Sequence, residues 1–253
     1  MDLFTLRKLR QLSVSFVVIG LLGACTTTTG GSSTVPSAEL PARPEADVAR
    51  DDGRKPFAVL DFLGVEPGMK VVDVLASSGY YTEALAHAVG PEGTVYAQNP
   101  AILLRLFGGR NDKALNARLM GNRLSNVRRL DREFDDLGLV AGSIDVAVTT
   151  LNFHDLYNRD PEQAAGMLAV LKGVLKPGGV LGIIDHNSND GADHATLHRM
   201  PVSDAIAAAE AAGFTVETSD VLANPEDDRT QGPFTEGLRG YTDRFVLKLT
   251  KPE

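Results

Sequence analysis

The 253-residue sequence contains no tryptophan and only one cysteine. Because Cys25 has no partner in the chain, no intramolecular disulfide can form. Phe and Tyr are few and scattered, so they offer little surface for stacking single-stranded bases. Basic residues are outnumbered, 25 against 33 acidic residues, which leaves a net charge of -8. Nucleic acids and anionic membrane surfaces are therefore unfavourable partners, because both are held mainly through Lys and Arg.

The apolar stretch from Leu12 to Leu22 is too short for the roughly 20 residues that span a bilayer. It follows the positive charges of Arg7, Lys8 and Arg10, a pattern typical of a signal peptide. The next residues, Leu22-Gly23-Ala24-Cys25, resemble the lipobox of bacterial lipoproteins, which implies lipidation of Cys25. An ordinary signal peptide or short membrane anchor with an incidental cysteine is the alternative.

Three segments are expected from this pattern: a lipoprotein signal peptide at 1–25, a flexible tether at 26–45 and a folded domain at 46–253. The segment from Thr26 to Pro44 is rich in Thr, Gly, Ser and Pro, which cannot bury enough apolar surface to fold. Thr26 in place of Asp resembles lipoproteins sorted to the outer membrane. We therefore expect an exported protein that is lipid-anchored to a bacterial membrane, the outer one, and that faces the periplasm.

Strands and helices alternate along the folded domain. The near-continuous apolar run from Val71 to Leu75 is typical of a strand buried on both faces, and a helix from Tyr80 to Val89 follows at once. Further strands are predicted at 94–97, 126–130, 143–151, 180–184, 214–221 and 244–250, and helices at 161–175 and 205–212, with a helical region broken at Gly108-Gly109 in between. This alternation predicts an α/β domain with right-handed crossovers and a mostly parallel sheet.

Three features of this order resemble class I methyltransferases, which use S-adenosylmethionine. They are the strand, acid and turn around Asp73, the strand containing Ile144-Asp145-Val146, and the Leu175-Lys176-Pro177-Gly178-Gly179 loop before a buried strand. The last is the most specific, and the resemblance covers the whole folded domain. It implies a Rossmann-like methyltransferase fold, a three-layer αβα arrangement with a seven-stranded, mostly parallel sheet and an antiparallel last strand.

Shorter segments resemble a narrower group of exported, methyltransferase-like proteins of unassigned substrate. They are Gly79-Tyr80-Tyr81-Thr82-Glu83, Asn152-Phe153-His154-Asp155-Leu156-Tyr157 and Ile184-Asp185-His186. The resemblance implies methyl transfer from S-adenosylmethionine to a small molecule, with the cofactor at the carboxyl edge of the first strands. The positions that we assign to the cofactor are Asp73, Ser77, Gly79, Tyr80, Tyr81, Asn99, Asp131, Arg132 and Asn152. Tyr80 and Tyr81 would stack on its adenine, and the simpler interpretation is that they are core or rim aromatics.

Two positions depart from the family pattern. Members usually carry glycines where Leu75 and Ser77 stand, and their second strand usually ends in an acid where this chain has Gln98 and Asn99. An amide lacks the charge-assisted strength of a carboxylate toward ribose hydroxyls. A binding protein that keeps the fold but has lost the cofactor is therefore the second hypothesis, with Leu75 and Ser77 filling the former cofactor site.

Polar residues also follow the fourth and fifth predicted strands, whose carboxyl ends face the same crevice as Asp73. His154 and Asp155 come after the fourth strand, and Asp185 and His186 after the fifth. An imidazole titrates near neutral pH and suits general-base work. The catalytic candidates are His154, Asp155, Tyr157 and His186, with Tyr157 positioning the substrate. Alternatively, these carboxylates cap loops or helices and the histidines only bond to backbone.

A metal-dependent hydrolase is the third hypothesis. Its ligands would come from Asp185, His186, His194 and His198, a mixture of imidazole and carboxylate that suits zinc. His194 and His198 would share one face if Asp193 to Arg199 were helical. The spacing matches no metal motif, and a surface histidine pair without metal is the simpler interpretation.

Two charged segments are expected at the surface. The mixed charges between Asp47 and Arg54 predict a solvated helix face. The segment from Pro225 to Arg229 predicts an exposed acidic loop before the last strand, either a plain surface loop or a lid over the crevice.

Overall fold

A computed structural model describes residues 40–253, and within them seven strands form one sheet. The strands are β1 (Lys70–Val74), β2 (Thr94–Gln98), β3 (Val127–Leu130), β4 (Ile144–Thr150), β5 (Leu175–His186), β6 (Thr215–Ser219) and β7 (Arg244–Thr250). Their order is β3-β2-β1-β4-β5-β7-β6. Strands β1 to β5 pair in parallel, whereas β7 is antiparallel to both β5 and β6. The predicted fold class is confirmed, including the antiparallel last strand.

Helices flank the sheet. They are α1 (Glu45–Val48), α2 (Asp51–Arg54), α3 (Pro56–Phe62), α4 (Tyr80–Val89), α5 (Ala101–Leu119), α6 (Phe153–Arg159), α7 (Pro161–Val174), α8 (His194–Leu197) and α9 (Val202–Ala211). Helix α5 is interrupted by non-helical backbone from Leu106 to Gly109, which confirms the predicted break. Among residues 40–253, no helix combines the length and apolar character needed to cross a membrane.

The sheet separates two hydrophobic clusters, because successive side chains of a strand point to opposite faces. Val71 of β1 packs in one cluster with residues of α3 and α4, such as Leu60 and Leu85. Val72 packs in the other with residues of α7, such as Leu168. Each buried Leu or Val stabilises the fold by about 1.5–3 kcal/mol relative to an exposed one. Burial on both faces is the reason why the central strands read as continuous apolar runs.

Most predicted bounds agree with the structure, and α4 and β7 agree at both ends. Strand β5, however, begins at Leu175 and not at Val180. Leu175 pairs with Ile144, and the register shifts before Val180 pairs with Val146. The Lys176–Gly179 segment is therefore an irregularity inside a strand pairing and not the loop before it. Helix α6 was not predicted, because seven residues are too few for a clear helical period.

The parallel register brings several chain segments to one edge of the sheet. Val74, the last residue of β1, pairs with Gln98 of β2 and Thr149 of β4, and Thr150 pairs with Ile184 of β5. The residues that follow these positions lie at the carboxyl edge, where open α/β sheets bind ligands. They include the turn after β1, the end of β2 and the histidines after β4 and at the end of β5.

Candidate functional site

The β1–α4 turn, Leu75 to Gly79, keeps the backbone of a glycine-rich turn with side chains added to it. The φ angles are 55° at Leu75, 55° at Ser77 and 87° at Gly79. These are the three positions at which the family pattern has glycine. For residues other than glycine, left-handed backbone costs roughly 1–2 kcal/mol each. The surrounding structure therefore holds Leu75 and Ser77 in a conformation that their side chains disfavour.

Asp73 lies in β1 just before this turn and is 2% exposed. Its Oδ2 accepts a hydrogen bond from the Thr82 hydroxyl at 2.6 Å, which ties β1 to the first turn of α4. Burial raises the pKa of Asp73 to about 7, although the bonds from Thr82 oppose that shift. Its carboxyl group is therefore directed into the protein at the base of the turn.

The end of β2 closes the β1–α4 turn from one side. The side-chain oxygen of Gln98 accepts from the backbone N–H of Leu75 at 3.0 Å, and its nitrogen donates to the Arg132 carbonyl at 2.6 Å. The side-chain oxygen of Asn99 accepts from the N–H of Ser77 at 2.7 Å. Both amide side chains are fully buried. Two backbone amides that would face a ligand in a glycine-rich turn are thus bonded within the chain.

Tyr80 and Tyr81 are buried against the N-terminal helices. The Tyr80 hydroxyl donates to Asp51 at 2.6 Å, and guanidinium groups lie 4.4 to 5.3 Å from its ring centre. Those guanidinium groups belong to Arg43, Arg50 and Arg54. Both tyrosine rings are thus covered by protein. The predicted solvated helix face is confirmed at Arg50 and Asp52, which are exposed, but it is wrong at Asp47, which is buried. Cation–π contacts and the hydrogen bond from Tyr80 pack the segment against α4.

Other charges of the same segment are buried with α4 and α5. Asp47 is 5% exposed and contacts Arg118 of α5 at 2.6 Å. Arg118 also pairs with Glu83 of α4, whose side chain is fully buried, and Arg123 contacts the second Glu83 oxygen at 2.5 Å. Paired in this way, the charges join α1, α4 and α5 beside the β1–α4 turn.

The polar residues after β3 lie at the outer end of the same edge. Asp131 is exposed and accepts from Arg129, and the Arg132 backbone carbonyl accepts from Gln98. Asp131 lines a cavity of about 530 Å³ together with Ala101, Gly108, Gly109 and other residues of α5. Arg132 thus contacts the end of β2 through its backbone and Asp131 faces an open cavity.

The histidine cluster is defined as His154, Asp155, Asp185, His186 and His198. Its members lie after β4, at the end of β5 and, for His198, just after α8. Asp185 is fully buried, and its Oδ1 lies 2.7 Å from His154 Nδ1. The same carboxylate accepts from the backbone N–H groups of His154 and His186, each at 2.8 Å. Asp185 therefore fixes the orientation of the His154 ring.

The two buried histidines have opposite protonation preferences. Burial alone would lower the pKa of His154, but Asp185 and Asp155 raise it to about 10. Burial lowers the pKa of His186 to about 3, and its Nδ1 lies 2.7 Å from the Thr242 hydroxyl. At neutral pH His154 is thus protonated and His186 is neutral. This arrangement favours a role for His154 as a hydrogen-bond donor. It disfavours the role of general base that is predicted from the usual pKa of histidine.

Asp155 joins a third histidine to the cluster. Asp155 Oδ1 lies 3.2 Å from His154 Nε2 and 3.0 Å from His198 Nδ1. The helix expected from Asp193 to Arg199 is shorter, since α8 ends at Leu197 and His198 has a φ of 51°. His194 contacts Ser188 and not the cluster, with Nδ1 2.9 Å from Ser188 Oγ. The structure therefore groups His198 with His154, and leaves His194 outside.

The remaining predicted residues lie beside the cluster. Asn152 precedes α6, and its side chain donates to the Thr150 carbonyl at 2.5 Å. Tyr157 packs on Phe153 and lines a groove of about 720 Å³ between α7 and α9. None of the residues described as lining this groove belongs to the histidine cluster. Tyr157 therefore faces a different surface from Asp185 and its partners.

A buried ion pair that the sequence did not indicate anchors the segment before β7. Arg199 is fully buried and donates to Asp227 at 2.8 Å, and it also donates to the carbonyls of Asn187 and Gln231. Asp227 is 5% exposed, so the predicted acidic surface loop is wrong at this residue. No local sequence pattern marks Arg199, because its partners lie far along the chain.

No protein-family model matches the sequence, and no curated protein matches it. Solved structures do match. A SAM-dependent methyltransferase from Aquifex aeolicus is 22% identical with a TM-score of 0.59, over 83% of this chain and 100% of that chain. The cyclase SpnF is 15% identical, also at 0.59, over 79% of this chain and 80% of that chain.

A third solved structure is described as a possible exported protein from Bordetella parapertussis. It is 14% identical with a TM-score of 0.55, over 87% of this chain and 77% of that chain. Matches at identities this low show a common fold, whereas the reaction has to be inferred from the residues of the site. Together with the strand order, they show that the chain has the Rossmann-like fold of class I methyltransferases.

Proposed function

We propose that the chain is an S-adenosylmethionine-dependent methyltransferase that acts on a small molecule. The observation that carries this proposal is the left-handed backbone of the β1–α4 turn at Leu75, Ser77 and Gly79. A chain with no use for this turn could relax Leu75 and Ser77 into less costly backbone, since each costs roughly 1–2 kcal/mol. Solved SAM-dependent methyltransferases with the same fold support the proposal.

The side chains at the sheet edge offer a partial fit to this cofactor. Asn99 already accepts from Ser77, but its nitrogen makes only a long 3.4 Å contact with the Ser77 carbonyl. That nitrogen therefore has donor capacity for a ribose hydroxyl. Asp131, after β3, and Asn152, after β4, are the other polar side chains that would hold the cofactor.

When bound, the cofactor supplies an electrophilic methyl group. The contribution of the chain is then to orient the substrate nucleophile in line with it, since positioning supplies most of the acceleration in such a displacement. His154, protonated and fixed by Asp185, would donate from Nε2 to a substrate oxygen that displaces Asp155 and would hold that oxygen in place. Because His154 already carries a proton, the substrate nucleophile enters as an anion or loses its proton to water.

A binding protein that has lost the cofactor is the second candidate, and one observation favours it. Gln98 and Asn99 are fully buried and use their side-chain oxygens on the amides of Leu75 and Ser77. These bonds take up donors that a ligand would otherwise meet. In this case the turn would only connect β1 to α4 and would bind no cofactor.

Calorimetric titration separates the two candidates. The full-length chain in detergent is titrated with S-adenosylmethionine and S-adenosylhomocysteine, and saturable binding of one ligand per chain is expected. An Asn99→Asp variant should bind about tenfold more tightly, because a carboxylate accepts hydroxyl bonds with charge assistance. The matched control is Asn122→Asp, which makes the same change at an exposed position. Absence of any binding by the wild-type chain refutes the methyltransferase proposal and leaves the binding protein.

We also propose that the domain is exported and tethered to a bacterial membrane through Cys25. The support is the lipobox-like sequence and the tether composition; the lipobox and the tether up to residue 39 lie outside the described residues. Arg43, which falls in the predicted tether, already contacts Asp51 and the Tyr80 ring. The net charge of -8 supports a small-molecule ligand rather than nucleic acid.

A further inference from the structure

Three side chains at the rim of the histidine cluster have the spacing of a metal site. His154, Asp155 and His198 each offer one ligand atom, and all three atoms lie within 4.8 Å of one another. Asp155 Oδ1 lies 3.2 Å from His154 Nε2 and 3.0 Å from His198 Nδ1. A tetrahedral zinc ion with bonds of about 2.0–2.1 Å holds its ligand atoms about 3.3–3.4 Å apart. The group therefore needs only small side-chain movements to surround such an ion.

A second observation is the buried carboxylate behind His154. In metal sites, the imidazole nitrogen that does not bind the ion usually donates to a carboxylate or carbonyl, which fixes the ring. Asp185 fills this position, because its Oδ1 lies 2.7 Å from His154 Nδ1 and its side chain is fully buried. Nε2 is thereby directed toward Asp155 and His198.

The backbone also places His198 firmly. His198 follows the end of α8 and immediately precedes Arg199, whose guanidinium is buried against Asp227. The Arg199 backbone N–H donates to the His194 carbonyl at 3.1 Å. His198 is thus held between a helix end and a buried anchor, while its ring remains half exposed and stacks edge-on against Phe234.

We propose that His154, Asp155 and His198 bind a divalent transition-metal ion of the zinc class, with Asp185 orienting His154. Two imidazoles and one carboxylate suit zinc or iron better than magnesium or calcium, which prefer oxygen ligands. The side chains of Asp155 and His198 are 51% and 46% exposed, so a further coordination position faces solvent. An oxygen or nitrogen atom of a small ligand, or a water molecule, would take that position.

This ligand set differs from the one that the sequence suggested. Asp185 bonds to His154, Nδ1 of His186 lies beside the Thr242 hydroxyl, and His194 contacts Ser188. Only His198 is common to both sets. Metal binding replaces the proton that His154 Nε2 otherwise carries. None of the three proposed ligands belongs to the β1–α4 turn, so zinc binding can be measured without S-adenosylmethionine.

Zinc titration of the untagged full-length chain tests the proposal. The chain is purified in detergent, stripped with a chelator and titrated with Zn²⁺ by calorimetry, and binding of one equivalent is expected. His198→Ala should weaken that binding at least tenfold. The matched control is His194→Ala, which removes an imidazole four residues away and should keep the wild-type affinity. Circular dichroism establishes that both variants remain folded.

Cobalt gives an independent readout. Co²⁺ in a site of two imidazoles and one carboxylate should produce visible absorption bands in the wild-type chain and the His194→Ala variant, but not in His198→Ala. The proposal is overturned if the wild-type chain does not bind one equivalent of zinc. It is also overturned if the wild-type and His198→Ala chains bind zinc with equal affinity, or if both histidine variants lose the same amount of zinc affinity.

Discussion

Ser77 holds left-handed backbone without being glycine, so its replacement by glycine should stabilise the chain. The φ of Ser77 is 55°, and removal of its side chain relieves this strain. The free energy of unfolding of Ser77→Gly, measured with urea, should rise by up to about 1 kcal/mol, because the relief of about 1–2 kcal/mol of strain exceeds the added backbone entropy of glycine, about 0.5–1 kcal/mol. Ser78→Gly is the control, because Ser78 is not among the residues with positive φ. It should lose about 0.5–1 kcal/mol through backbone entropy.

If Ser77→Gly fails to stabilise the chain relative to Ser78→Gly, the Ser77 side chain of the wild-type protein makes contacts that outweigh the strain. The same variant informs the cofactor proposal. Glycine at this position lets a ligand approach the turn more closely, so any affinity for S-adenosylmethionine should increase with the stability.

Asp73 makes the stability of the chain depend on pH. Burial raises its pKa to about 7, against 3.8 for an ordinary aspartate, so between these values the folded chain keeps a proton that the unfolded chain releases. The contribution of Asp73 to the free energy of unfolding should therefore fall by up to about 1.4 kcal/mol per pH unit as the pH rises through this window. Asp73→Asn cannot ionise and removes this dependence.

Urea unfolding of both proteins at several pH values from about 4 to about 8 measures the effect. The wild-type chain should lose stability relative to Asp73→Asn up to about pH 7 and change no further above it. A stability difference that stays constant over the whole range would contradict the raised pKa.

At the scale of elements, a buried ion pair fixes the segment between β6 and β7. Arg199 and Asp227 are both buried and contact each other at 2.8 Å. Asp227 also accepts from the backbone N–H groups of Arg229 and Asp243. Asp227→Asn would leave the Arg199 charge buried without its partner, and should lower the free energy of unfolding by about 3–5 kcal/mol.

The control for this change is Glu226→Gln, one residue away and exposed. It should change the stability by less than about 0.5 kcal/mol. Chemical unfolding of the two variants gives the comparison directly. Similar losses in both would mean that the segment is sensitive to any loss of charge and not to this ion pair.

At the scale of the whole molecule, the N-terminal sequence predicts where the domain resides. Cys25→Ser removes the only thiol that could be acylated, so incorporation of radiolabelled palmitate should be lost and the chain should leave the membrane fraction. Ser32→Ala, in the same tether, is the matched control and should be labelled like the wild-type chain. Label that survives Cys25→Ser would contradict the prediction of lipidation.

Local sequence patterns determined the architecture of the folded domain. Apolar runs marked the central strands because those strands are buried on both faces, and the predicted bounds of α4 and β7 match the structure. Short elements were harder to predict. Helix α6 has only seven residues. The Pro-Gly-Gly sequence predicts a loop before β5, because the pairing of Leu175 with Ile144 of β4 cannot be read from the sequence.

Only the tertiary structure decided how the polar residues pair. The sequence indicated that His154 and Asp185 lie at one edge of the sheet, but His198 joins Asp155 across 43 residues and Arg199 joins Asp227 across 28. Likewise, Gln98 and Asn99 bond to a turn that lies 22 or 23 residues earlier. Periodicity reports which face of an element is buried, whereas these pairings depend on strand register and loop paths that no local pattern contains.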